Sequence, residues 1–516
     1  MQKFGFWLLL LFIVVLGLDN TNAETIVDSG GNGDYVTIDE ALQSAVEGDT
    51  ILVWDGVYSG NFNISVDDIQ LIGNGSTTTT IQGNDPNANN IVIVADNIRI
   101  SNFMITGADS AISITDSMNC RISGNNITGN KRGIHMSGSA SYNTIEGNII
   151  TGNTFNGVYL ESTDLYNYTA HSNIITGNSI SSTTTAIWIK GTSDTEISNN
   201  VIHSFGTYGI QIQSSIRDSL INNTITDGNY GITLYGGYNQ IISQNTIFSL
   251  DGYGIFVNSG QLMDTEYNES VYIGKLMIDD NDIYSCAGGI KITASMDNDV
   301  VNNRIYDNIY GLELISPGGN RISNNNFSDN ERGLFLSMTS AVVVANNTFR
   351  DNWYGIFVWF SSGNQINENL LSRNNIGIYL NNASYVNLIN GNNISSNQEY
   401  GVYSEIKVNA TSNFWGDPSG PYNQLSNPSG LGDEVSDNVV WVAETDPSEK
   451  SNSSSTSSSG LPMGTLGLFV AVFAVTNYFV SGWIVKEVSK SFKVPVDKIA
   501  KWMNEEREKS KKQEKD

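Results

Sequence analysis

Two pairs of residues bring opposite charges together at spacings that could do chemistry: Glu161 with Lys190, and Lys291 with Glu313. An amine beside a carboxylate is material for proton transfer, one group taking a proton while the other gives one. Aromatic side chains recur in the same stretch: Tyr159, Trp188, Phe256, Phe335, Phe357, Trp359, Tyr379 and Tyr403. A line of rings can stack against the weakly apolar C–H faces of sugars. Asp307, Asp329 and Asp351 follow one another at steps of 22 residues, each before an Asn. Carboxylates stacked this way repel unless a cation sits between them, and Ca2+ takes such oxygens in flexible geometry. Each pattern has a plainer alternative. Charged pairs can be ordinary surface charges, aromatics favour strands and stabilise one another across them, and Asp-Asn commonly opens a turn.

Whatever these residues do depends on the repeat that carries them. A unit of Asn-x-Ile, Asp/Gly-Asn and Tyr-Gly-Ile-x-Leu recurs through the body, and its Gly steps by 22 four times running from Gly289 to Gly377. Longer steps at Gly157–Ala186 and Gly254–Gly289 mark insertions. Asparagines keep phase with the glycines, from Asn125 to Asn392. Each unit holds short alternating segments, which read as strands, separated by Gly, Asn and Asp turns. Such a unit cannot bury its own apolar face. It must stack on its neighbours, with equivalent strands parallel and about 4.8 Å apart. The fold expected is all-β: a right-handed single-stranded parallel β-helix. Asn amides would bond from coil to coil. In Gly-Ile-x-Leu, x faces outward. That column runs His135, Tyr159, Trp188, Gln211, Thr233, Phe256, Lys291, Glu313, Phe335, Phe357, Tyr379, Tyr403.

The ends give an address. Lys3 and the apolar run from Phe4 to Leu18 read as a signal peptide over 1–23, cut after Ala23. The expected order is then a cap and first coil at 24–60, β-helix repeats at 61–410, a C-terminal cap at 411–447 and a Ser-rich stalk at 448–460. Residues 461–485 form an apolar stretch long enough to cross a bilayer. The tail, 486–516, carries ten Lys/Arg against seven acids, which places it in the cytoplasm. The body is expected outside the cell membrane, type I, in an arrangement that suits an archaeal cell surface. The whole chain's 53 Asp+Glu against 26 Lys+Arg exclude general nucleic-acid binding. Sequons begin at Asn63, Asn74, Asn126, Asn167, Asn222, Asn268, Asn326, Asn346, Asn382, Asn393, Asn409 and Asn452.

Gly33-Asp34-Tyr35-Val36-Thr37-Ile38, Ala41-Leu42, Gly48-Asp49-Thr50-Ile51 and Asp55-Gly56-Val57-Tyr58 resemble the opening of secreted β-helix proteins, in which a short helix caps the first coil. Asn413-Phe414-Trp415-Gly416 resembles the closing segment of the NosD-type and carbohydrate-binding/sugar-hydrolase, pectate-lyase-like group. The resemblance implies the fold and a polysaccharide or cell-surface partner. It does not imply one activity, because that solenoid carries lyases, hydrolases, epimerases and non-enzymes. The Gly-His-Gly and Arg-Ile-Lys segments of polygalacturonase-like enzymes and the Asp-Pro-His of alginate epimerases are missing. Copper, suggested by the NosD label, wants clustered His, Cys or Met. Met104, Met118 and Met136 read instead as core, and copper is not expected. Binding along the aromatic column is favoured; a carbohydrate-active enzyme using Lys291, Glu313, Glu161 or Lys190 is the alternative.

Overall fold

The computed structural model describes residues 24–164, 167–258, 274–315, 318–385 and 387–442. The signal-peptide, stalk, apolar-stretch and tail readings lie outside them, as do Asn268 and Asn452. Among the described residues no helix is long and apolar enough to cross a membrane.

One coil shows the rule. Arg321–Ser323 forms a strand, Asn324 turns the chain, and Asn326–Ser328 forms the next. Asp329 turns it again into Arg332–Ser337. Asn324 and Asp329 sit at φ 58° and 57°, the left-handed region that Asn and Asp tolerate better than other side-chain-bearing residues. The residue after each turn, Asn325 or Asn330, points inward and is buried. Each strand pairs in parallel with its equivalents 22 residues away, Leu312 with Leu334 and Leu334 with Ile356. The first ladder has 18 strands. The other two join as a 28-stranded sheet where strands run on through the corner, as in Thr246–Asn258. There are more coils than the glycines mark, because the first coils use other residues at that place.

Ile322, Phe327, Leu334 and Leu336 fill the core with no exposure, and Phe327 stacks on Phe349 at 4.9 Å inside it. The recurring Gly has a steric cause. A Cβ on Gly311 would lie 2.4 Å from the Gly333 carbonyl oxygen. Asn303 is typical of the inward amides. It donates to Asn325 Oδ1 at 2.9 Å and to the Ile278 and Val301 carbonyls, while its own Oδ1 accepts from Asn281. The structure adds a second such ladder, in which Asn308 donates to Asn330, Asn330 to Asn352 and Asn352 to Asn374. It ends on a carboxylate: Asn397 donates to Asp433 at 2.6 Å.

The helix Ile38–Ser44 starts with a capping box between Thr37 and Glu40. At the far end Asn413 accepts the last bond of the first amide ladder, and Trp415 is completely buried.

Candidate functional site

The third strand of each coil presents the outward column, and neighbouring coils bring its members into contact. Phe335, Phe357, Tyr379 and Tyr403 form a continuous line, with ring centroids 5.5, 4.7 and 5.4 Å apart. Where a tyrosine precedes the repeat glycine, it joins the line. Tyr354 meets Phe357 at 5.0 Å, and Tyr400 meets Tyr403 at 5.1 Å. Sequence reasoning left this second row out, although the Tyr-Gly pair was its signal. Arg332 lies over Tyr310, Phe335 and Phe357 at 5.1–5.3 Å and donates to the Tyr310 hydroxyl. A second patch joins Tyr208, Tyr230, Tyr235, Tyr253 and Phe256.

The geometry corrects the idea of a simple stacking platform. Phe357 and Tyr379 are inclined by 19°, Tyr379 and Tyr403 by 9°. Rings stacked on the coils above and below spend their faces on one another and offer edges outward. Tyr159 is closed altogether: it is 8 % exposed, held between His135 at 5.1 Å and Trp188 at 4.8 Å. Trp188 is half-buried with its indole Nε1 unpartnered. Phe335 is turned 77° to Phe357, and Trp359 lies 74° to Phe360. Trp353, 57 % exposed, was not singled out from sequence. Its position beside the Tyr354-Gly355 pair was the available signal.

The acid–base candidates form two separate clusters. Lys291 and Glu313 are register partners and make an ion pair of 2.9 Å. Tyr253 completes it by donating to Glu313 at 2.5 Å. Both Lys291 and Glu313 are largely enclosed. Burial first, then Glu313, pushes the Tyr253 phenol well above its ordinary value. Two donors occupy the carboxylate, so this is a brace more than an acid left open to substrate. Glu161 and Lys190 are also register partners, but Glu161 takes its bonds from Tyr159 at 2.5 Å and His135 at 3.3 Å. His135, isolated in the sequence, is thus tied into a cluster, and burial lowers its pKa despite Glu161. The two pairs are five coils apart, roughly 24 Å. They cannot share one reacting atom.

The aspartate row also has a local explanation. Asp307, Asp329 and Asp351 all sit at left-handed corners, φ 56–58°. Asp307 accepts from Ser285. Arg373 binds Asp351 through two nitrogens and holds its carboxyl below the usual range. No group of three His, Cys, Asp or Glu able to hold a metal occurs among the described residues. Each of these carboxylates thus stands at a turn corner.

Two family models match the chain. One, described as right handed beta helix region, matches residues 89–215 and 162–275. The other, described as periplasmic copper-binding protein (NosD), matches 261–414. The two cysteines do not suit copper. Cys120 and Cys286 are buried, and burial pushes their thiols to about 11 and about 12. Met136 is fully buried, whereas Met118, expected in the core, is 41 % exposed. No curated protein matches the chain. Among solved structures, the Dettilon tailspike protein is similar at 16 % identity over 70 % of this chain, TM-score 0.43; the chain spans 62 % of the tailspike's length. A double mutant of the periplasmic alginate epimerase is similar at 12 % identity, covering 59 % of this chain and 83 % of that one, TM-score 0.35. A mannuronic acid specific polysaccharide family 6 lyase from human gut microbiota is similar at 12 % identity, covering 55 % and 84 %, TM-score 0.40.

Proposed function

We propose that this β-helix protein is a membrane-anchored surface protein, type I with its body outside, that holds an extended polysaccharide along the face from Tyr310 to Tyr403. The supporting observation is the unbroken contact of Phe335, Phe357, Tyr379 and Tyr403 over four successive coils. A face that repeats every ~4.8 Å suits a polymer whose own units repeat on a similar length. The stacked rings offer edges and tyrosine hydroxyls to sugar hydroxyls. Trp353 and Trp359, at the margin of the stack, supply the ring faces. The second reading is a polysaccharide lyase, hydrolase or epimerase centred on Lys291, Glu313 and Tyr253, favoured by their enclosure on the same face.

One experiment separates them. The full chain in detergent is incubated with neutral and acidic polysaccharides in the presence of Ca2+, and polymer length and protein elution are followed by size-exclusion chromatography. Co-elution without shortening is expected. Shortening of any polymer would establish the enzyme reading, and neither effect would reject both.

A further inference from the structure

The C-terminal cap carries an apolar loop that the polysaccharide reading does not use. Leu425 and Leu431 are 76 % and 78 % exposed, the two most exposed large apolar side chains among the described residues. Tyr422, Val440 and Val442 are exposed within the same short stretch. Leu425, Val440 and Trp441 line a shallow cleft there, with Asp437 at its edge. The display is built, not loose. Asn423, itself buried, accepts from the Leu425 and Ser426 backbone amides at 3.0 and 2.8 Å and donates to the Val435 carbonyl. Asn427 donates to the Ser419 and Pro421 carbonyls, and Trp441 donates to Ser426. Ser419 Oγ holds the Leu431 amide at 2.8 Å. A turn fixed by seven hydrogen bonds from four side chains thus holds a leucine at its tip, where polar residues ordinarily sit.

The chain itself indicates what covers this loop. Val442 lies in the patch, and 18 residues separate it from the apolar stretch at 461–485. A Ser-rich segment of that length has a root-mean-square reach of roughly 25 Å. If 461–485 spans a bilayer, the loop is held near the membrane surface at millimolar effective concentration, where even a weak affinity suffices. We propose that Leu425, Leu431 and Trp441 seat the C-terminal end of the solenoid in the headgroup region of the lipid bilayer. Apolar tips and an indole at a water–hydrocarbon boundary gain from leaving water while keeping polar partners. This rests on the membrane-anchored reading above. The seated end would stand the solenoid up from the membrane and point its N-terminal cap outward.

The test uses the full chain reconstituted in phosphatidylcholine vesicles. Cys120 and Cys286 are buried, so an environment-sensitive fluorophore can be directed to Leu425→Cys, to Leu431→Cys, or to Val57→Cys at the far end, where Val57 is 67 % exposed. Brominated lipid should quench both cap positions at least threefold more than position 57. Equal quenching at the two ends, with the chain retained through an alkaline carbonate wash, would overturn the seating and leave the anchor standing. Release of the chain by the wash would overturn the anchored reading and the seating with it. A blue-shifted probe at 425 that brominated lipid does not quench would mean cover by a second copy, and would also overturn the proposal.

Discussion

Tyr253 gives its hydroxyl hydrogen to Glu313 at 2.5 Å although 60 residues and one whole intervening coil lie between them. The ring can reach because the coil it crosses has Gly288 beneath it. A Cβ there would stand 2.2 Å from the Tyr253 ring. Lys291, on that crossed coil, reaches the same carboxylate and lies 5.2 Å from the Tyr253 ring centre. Three consecutive coils are thereby tied on their outer face, next to the insertion between Asn258 and Gly274.

Gly288→Ala should lift the tyrosine off this path. Overpacking of this kind costs about 1–3 kcal/mol, and Tyr253→Phe should cost about 1.5–3 kcal/mol through the lost bond to a charged group. The double variant should be no worse than the poorer single one, because both break the same tie. Denaturant midpoints of the four proteins check this.

Asp218 should make stability fall as pH rises. It stands in line with inward amides, fully buried, with Thr195 donating its backbone N–H and Gln240 its amide. Burial pushes its carboxyl up to about 8 from an ordinary 3.8. Between those values the folded protein holds a proton that the unfolded chain has released, so stability is full below pH ~4 and is lost progressively toward pH ~8. Asp218→Asn removes the titration. It should be the more stable protein at pH 8, by at most about 5 kcal/mol, and equal to the native chain at pH 4. Unfolding curves across pH 4–8 decide it; parallel profiles would contradict the assignment.

The inward amides should matter far more than their neighbours. Asn303→Ala takes away the acceptor of the Asn281 backbone N–H, one bond of the Asn281 side-chain amide and the side-chain donor to the Ile278 carbonyl, at about 1–3 kcal/mol for each buried group left unsatisfied. Asn302→Ala, one residue earlier, is exposed and gives up a left-handed corner at φ 57° and one bond to Asp279. It should cost only about 1 kcal/mol. Thermal unfolding of the two variants should differ by several degrees or more.

Glycan retention should follow the available ring faces, not the sequence column. Trp353→Ala and Trp359→Ala should each weaken retention on a polysaccharide column several-fold, in line with about 1 kcal/mol per stacked ring. Phe357→Ala should chiefly lower stability, because its faces are spent on Tyr379 and Tyr354. Lys291→Ala with Glu313→Gln should leave retention unchanged, whereas any turnover lost in that variant would restore the enzyme reading.

The sequence by itself determined the phase of this protein. Alternation within Gly-Ile-Phe-Val-Trp, Asp or Asn at many of the left-handed corners, and glycine where an added Cβ would meet the next coil's carbonyl are local backbone requirements, so a repeat of 22 residues writes them openly. Inward and outward positions follow from them. Tertiary structure decided which outward residues are free. Tyr159 and Glu313 alternate outward as the pattern requires, yet neighbouring side chains have closed over both. Trp353, outside the counted column, is open. The reason is physical. A side chain's direction is set by its own backbone, but its exposure is set by rings and charges on coils 22 to 60 residues away, stacked ~4.8 Å above and below it. No local pattern records how those neighbours lean.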